Sequence, residues 1–586
     1  MKTYREKFLA GLALGYASIS SPLLCATTLT DCDEAGLRAA VANGGTVTFA
    51  CDGTIAFTDT LTVVRDVSLQ ATGHQVTISG DNKVQVFSVR QGASLTLMDL
   101  TVADGWSTNG GGIYNEGYVS LINCRVTRHR AVNLGGGIYN CGTLTVSNSV
   151  LSENSVRGLE GSAGSNGVSA SVVFDSFGRC HNTQPGTAGG PGGEGGSAHG
   201  GALFNGGSAQ FLNSTLESNS AVGGPGGSGG SSGGEGCSNL GLSGGSASPG
   251  GEGAGGGIYN LGFLTLTGST LAGNEAVGGD GGKGGLATTS ISSPGAGGNG
   301  GQARGGGIWN LGTNDTRNST IANNFARGGG GGQVGDRPLF PCWASGDGNG
   351  GAASGGGIFN QGDTSLLHVT IWNNQAVGGT GTNHTADCGF MIIPGTNGDA
   401  TASDISASTG AVLLANSIVG SPGSTSSCFG VMIDNGNNLC GDTSAAFSAP
   451  GSLNNVDPRL GPLANNGGPT PTLALLFGSP AIDAGDDAHC PAVDQRGVTR
   501  PALSHCDIGA YELVPDFFYI TSITQPTGAT LRIRGMGVPS QSFQLQASPS
   551  FANWEEVVSG IVSPTGWFQV ETTNGSQWRF YRTMAP

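Results

Sequence analysis

An all-β fold is predicted: a right-handed parallel β-helix solenoid with Gly-rich inserts, followed by a small antiparallel β-sandwich-like domain. Three observations carry this. A Gly-Gly-Gly-Ile-Tyr-Asn hexad, or a close variant, recurs six times, starting at residues 110, 135, 200, 255, 305 and 355. Each hexad is followed by a turn, an alternating stretch such as Leu144-Thr145-Val146, and in most copies an Asn-Ser-Thr-Leu/Ile and Asn-x-Ala tail. Apolar residues alternate with period two and show no helical period. A short unit that cannot bury a core alone must stack on its neighbours, and turns of chain about 20–30 residues long, broken by Gly and Asn, describe a β-helix.

The hexad starts are separated by 25, 65, 55, 50 and 50 residues. The first step is the bare repeat. Each longer step carries an insert, beginning after Val156, Val222, Val277 or Arg327, and a fifth insert begins after Val377, beyond the last hexad. The hexad Asn residues Asn115, Asn140, Asn205, Asn260, Asn310 and Asn360 are expected in register as a structural ladder.

From the N-terminus, Lys2, Arg5 and Lys7 precede an apolar run from Phe8 to Ala17 and small residues to Ala26. This reads as a secretory signal peptide over 1–26. Residues 27–43 place Leu37, Ala40 and Val41 on one helical face after acidic residues, a cap for the open end of the solenoid. Short strands without the hexad follow. The six coils and their inserts then occupy 103–400. Two readings of the inserts stay open: flexible Gly-rich loops, or Gly-Gly-x legs stacked as polyproline-II-like strands at one corner.

Weaker coils follow, then a dense run over 436–513: Asp457-Pro458-Arg459-Leu460, Ala481-Ile482-Asp483-Ala484-Gly485, Asp494-Gln495-Arg496-Gly497 and Cys506-Asp507-Ile508-Gly509-Ala510-Tyr511-Glu512. This run resembles the choice-of-anchor Q domain of exported bacterial proteins. The hexad coils resemble the repeats of polymorphic outer membrane proteins, within the pectin-lyase-like β-helix class. The resemblance implies export and residence in the envelope or outside the cell, and no particular chemistry. It also implies an anchoring device, yet no sorting motif or terminal membrane helix is seen and the chain is too short to add an autotransporter barrel. The solenoid is expected to continue through 27–515. Residues 516–586 lose glycine, gain aromatics and alternate at 530–534, 542–547 and 568–571, which reads as an antiparallel β-domain.

Of 586 residues, 110 are Gly, only 11% are charged, and the net charge is −16. An acidic, sparsely charged surface argues against nucleic acid or anionic membrane, and no other stretch is long and apolar enough for a transmembrane helix. One of 13 cysteines, Cys25, lies in the leader, leaving 12. An even count in an exported chain favours disulfides. If the inserts stack, sequential pairing is expected: Cys32 with Cys51, Cys124 with Cys141, Cys180 with Cys237, Cys342 with Cys388, Cys428 with Cys440, and Cys490 with Cys506.

A search for chemistry is sparse. Asp486-Asp487 is the one candidate for paired carboxylates, with capping or turn roles as the alternative. His368 replaces the Asn of Asn148, Asn213 and Asn318, and His129 replaces the Asn of Asn154, Asn219, Asn274 and Asn324. Each His is alone, so a ladder substitute outweighs a general base or ligand. Gly278-Gly279-Asp280-Gly281-Gly282 hints at a calcium nonapeptide, but the Asp is misplaced and the motif does not recur. Asn213-Ser214-Thr215 and Asn318-Ser319-Thr320 match a glycosylation sequon yet align as a coil corner. Tyr114, Tyr139, Tyr259, Trp309 and Phe359 form either a sugar-stacking stripe or an internal stack, since period two points Ile and ring to opposite faces. No catalytic, metal or cofactor site is assigned. The expected protein is a monomeric, non-enzymatic, adhesin-like or structural β-helix, with an extracellular glycan or cell-surface component as partner. The alternative is a polysaccharide-active lyase or glycosidase, or a carbohydrate-binding protein.

Overall fold

The computed structural model describes residues 26–584, apart from 238–240, 289–291, 337–344, 384–392, 421–422, 425, 515–517, 528–529, 538–540, 551–552, 564–565 and 574–579. The expected signal peptide, apart from Ala26, and the expected Cys342/Cys388 pair therefore lie outside the described residues.

The chain is a parallel β-helix with four sheets running along its length, of 12, 12, 10 and 11 strands. One coil shows the plan. Ile113–Asn115 belongs to the hexad sheet, Tyr118–Ile122 to a sheet of five-residue strands, Arg125–Thr127 to a third sheet and Arg130–Leu134 to a fourth. Successive coils pair in parallel with hexad Asn on hexad Asn, from Asn115↔Asn140 to Asn310↔Asn360. Ile113, Val119, Leu121 and Val126 are fully buried, and their equivalents build one continuous core from Leu37 to Phe447.

The corners explain the Asn and Gly. Asn148, Asn213, Asn318, His368 and Asn416 all hold φ between 44° and 52°, and the first hexad Gly holds φ of 59–73° in every copy. These are left-handed positions, where Gly costs nothing and Asn little.

The fourth sheet explains the inserts. Arg130–Leu134 pairs at one end with Ser155–Arg157 and at the other with Ala198–His199. From that coil onward the fourth strand is split into an outgoing and a returning half, and the insert springs from the break. Inside the inserts Gly recurs every three residues. Gly158, Gly161, Gly164 and Gly167 donate their N–H to Val222, Pro225, Ser228 and Ser231 of the next outgoing leg, at 2.7–2.9 Å. Across the layers, Gly196, Gly193 and Gly190 donate to Leu159, Ser162 and Ser165, all at 2.7 Å. The inserts are thus a two-layer bundle of polyproline-II-like legs, not loose loops. A Cβ at Gly224 would lie 1.9 Å from Leu159 O, and one at Gly251 2.0 Å from Gly196 O, so only Gly fits between the legs, as at the axis of collagen.

Both ends are closed. The helix Glu34–Asn43 is capped by Asp33, whose carboxylate accepts from Gly36 N at 2.7 Å, and it buries Leu37, Ala40 and Val41. At the far end Ala445 and Phe447 plug the core. The expectation that the solenoid continues to residue 515 is corrected here. The parallel strands end at Leu439–Cys440, and residues 457–513 run back along the outside of the third sheet as a strap. Pro, Gly and turn-forming Asp deny this run an alternating strand. Its strand pairing is antiparallel, Leu460–Ala464 with Thr472–Leu475 and a single bridge between Val493 and Thr499. Six further strands, from Tyr519–Thr527 to Phe580–Met584, form two three-stranded antiparallel sheets around Ile533, Phe543, Leu545, Val562 and Phe568. Among the described residues no helix is long and apolar enough to cross a membrane.

Candidate functional site

The hexad Asn residues form a buried ladder. Asn115 Nδ2 donates to Asn140 Oδ1 at 2.7 Å, and the pattern repeats through Asn205, Asn260, Asn310 and Asn360 at 2.7–2.9 Å. Each amide also donates to a backbone carbonyl, for example Asn205 Nδ2 to Phe263 O at 3.0 Å. A second ladder runs Asn154–Asn219–Asn274–Asn324–Asn374–Asp404. His129 occupies the position before Asn154 in that row. Its Nδ1 accepts from Gly105 N and its Nε2 faces Val102 O, and burial pushes its pKa down to about 4. It is a neutral ladder member, as the sequence suggested.

His368 stands in the left-handed corner row, where Asn148 is exposed but Asn318 and Asn416 are buried, and it bonds one coil up to Asn416 as a ladder substitute should. It is buried because the strap covers it. Asn416 Nδ2 lies 2.9 Å from Nε2, Arg500 Nη1 lies 2.8 Å from Nδ1, and burial pushes its pKa down to about 3. Arg500 in turn donates to Asp507 O and Gly509 O and lies 3.4 Å from Glu512 Oε2. Burial raises Asp507 and Glu512 above the usual carboxylate range. Both accept backbone N–H groups: Asp507 from Asp483 and Leu513, Glu512 from Ala502 and Asp507. Sequence reasoning missed this knot, because His368 and Arg500 are 132 positions apart and meet only when the strap folds back.

Asp486 and Asp487 do not act as a pair. Asp486 bonds His489 Nδ1 at 2.7 Å and Ala488 N at 3.0 Å, while Asp487 accepts from Cys506 N and bonds His505 Nδ1. The His489 contact holds Asp486 below its ordinary value, and the Cys506 N–H does the same for Asp487. These are capping roles. Asp280, of the calcium-like stretch, accepts from Gly330 N at 2.8 Å and so joins two legs of the bundle.

The cysteines divide into three groups. Cys32–Cys51 and Cys180–Cys237 are disulfides, with Cα separations of 5.7 and 5.4 Å. Cys428 and Cys440 meet as thiols in hydrogen-bond contact, and so do Cys490 and Cys506. The Cys490 and Cys506 sulfurs lie within 4.8 Å of each other and of a His368 nitrogen, but both His368 nitrogens already face donors. The expected Cys124–Cys141 bridge is corrected. Cys124 takes the place of a Ser in a buried corner row: its N–H donates to Ser149 Oγ, as Ser149 N does to Ser214 Oγ. Cys141 sits exposed at the other end of a five-residue strand, ~17 Å of chain against the ~7 Å Cα limit of a disulfide.

The aromatic residues lie outside the hexad sheet as one column. Tyr114, Tyr139, Phe204 and Tyr259 stack at 4.8, 5.1 and 5.5 Å with interplanar angles of 10°, 2° and 8°. Trp309 and Phe359 continue it edge-on, with the Arg304 guanidinium 5.3 Å from each. Ile points in and the ring points out, but interior rings spend both faces on each other. Comparison with family models, with curated proteins and with solved structures gives no match.

Proposed function

We propose that this chain is an exported, non-catalytic β-helix that works as an adhesin-like or structural rod in the envelope or outside the cell, with a glycan or other surface component as partner. One observation carries the reading: the side chains best suited to chemistry are engaged in holding coils, legs and strap together. The Asn amides face one another, Asp486 and Asp487 cap backbone, and His129 and His368 are buried with both nitrogens contacted. Export is supported by the basic-then-apolar N-terminal stretch and by the disulfides. The resemblance to choice-of-anchor Q and polymorphic outer membrane proteins points the same way. Incubation of purified protein with pectin, alginate and neutral glycans, followed by assay for reducing and unsaturated ends, is expected to release neither. Release that Asp486→Ala or Asp487→Ala abolishes would refute the non-catalytic reading.

A further inference from the structure

We infer that the lower end of the ring column is a binding subsite for one neutral pyranose. This rests on the adhesin-like reading for its biological sense and deepens it. Every interior ring has its faces covered, and the terminal Phe359 is buried beside the Arg304 guanidinium, but Tyr114, the other terminal ring, is only half-buried. Tyr139 covers one of its faces at 4.8 Å, and the residue in register on the other side is Ser88, which has no ring to offer. That side of the ring borders an open, shallow depression of ≈ 260 Å³ lined by Tyr114, Ser88, Arg90, Ser107 and Asn109. The volume is below the ~300–1,000 Å³ of pockets for drug-sized ligands and suits a single sugar ring. An aromatic face with polar groups at its edge matches the two sides of a pyranose, apolar C–H face and hydroxyl rim.

The polar groups are of the right kind. The Tyr114 hydroxyl lies 3.3 Å from Glu116 Oε1, and Arg90 Nη1 lies 3.5 Å from Glu116 Oε2, so the rim offers donor and acceptor side by side. Gln85 also lines the depression, but its Nε2 is committed to Asn109 O and Gly110 O at 2.8 and 2.7 Å, so it buttresses the wall. Arg90 and Glu116 cancel, and a chain of net charge −16 repels acidic glycans, which selects a neutral sugar over a uronate.

The test is saturation-transfer NMR on the mature protein with methyl glycosides of glucose, galactose, mannose and N-acetylglucosamine, and with methyl galacturonide. At least one neutral glycoside is expected to bind. Ser88→Tyr should extend the column by one ring and fill the depression while keeping the fold, and Tyr114→Leu should remove the face. Each is expected to weaken binding about tenfold or more, with an unchanged circular dichroism spectrum. Tyr259→Leu, within the column, should leave binding intact. The inference is overturned if no neutral glycoside binds, if the galacturonide binds in preference, or if folded Ser88→Tyr binds as the parent does. Those results leave the non-catalytic rod standing, whereas glycan depolymerisation with Tyr114-dependent binding intact would remove the rod reading and keep the subsite.

Discussion

Single residues matter here in proportion to how many coils they join. Asn205, fully buried, receives a bond from Asn140 and gives bonds to Asn260 and Phe263 O. Asn205→Ala strands polar groups on both neighbouring coils, each costing about 1–3 kcal/mol. A loss of about 2–4 kcal/mol in denaturant unfolding is expected. His129 adds a pH term. It is held neutral, at about 4 against an unfolded value near 6.5. Its folded pKa is lowered, so the unfolded chain binds the proton first. Stability is whole above pH ~6.5 and falls as pH drops towards ~4, by about 1.4 kcal/mol per unit at most. His129→Asn should restore the ladder residue and remove that loss. The variant is expected to gain in melting temperature over the parent at pH 5 relative to pH 7.5, and an equal difference at both pH values would show that His129 does not titrate with unfolding.

At the scale of the element, the insert legs and the strap behave differently. Gly224→Ala places a methyl 1.9 Å from Leu159 O, so the first two inserts must part, yet the four sheets keep every bond. Limited proteolysis is expected to cut Gly224→Ala within 158–252 while the coils survive, and Ser228→Ala, at an exposed position of the same leg, is expected to resist like the parent. The strap is pinned by side chains: Gln495 Nε2 donates to Thr270 Oγ1 and Thr470 Oγ1, and its Oε1 accepts from Thr320. Gln495→Ala should raise hydrogen exchange in 460–475 well before that of the third sheet. In oxidised protein, peptide mapping without reductant is expected to find Cys428 joined to Cys440 and Cys490 to Cys506, with Cys124 and Cys141 as free thiols. The hexad periodicity, the cap helix and the antiparallel C-terminal strands were legible because each is a local pattern. The Gly-Gly-x legs were legible only as one of two readings, since the same composition serves a loop. The strap was not legible: Arg500 with His368, and Gln495 with Thr270, join residues far apart in sequence, and no local period announces such a meeting.

For the whole molecule, the insert bundle is a second body with a different thermodynamic character. The coils bury Ile, Leu, Val and Phe along one apolar core. The legs meet glycine to glycine, so what leaves water on their assembly is largely peptide and not hydrocarbon. Apolar exposure raises the heat capacity of unfolding and polar exposure lowers it. Melting of the bundle should therefore carry a small or even negative ΔCp per residue, against the ~12–15 cal/mol/K usual for globular protein. Cooling, which weakens hydrophobic cohesion, should spare the legs more than the coils. Glycine also loses more freedom on ordering than any other residue. Legs cut away from the split strands that hold both their ends would have little to offset that loss, so the rod below acts as the template on which the glycine lattice crystallises.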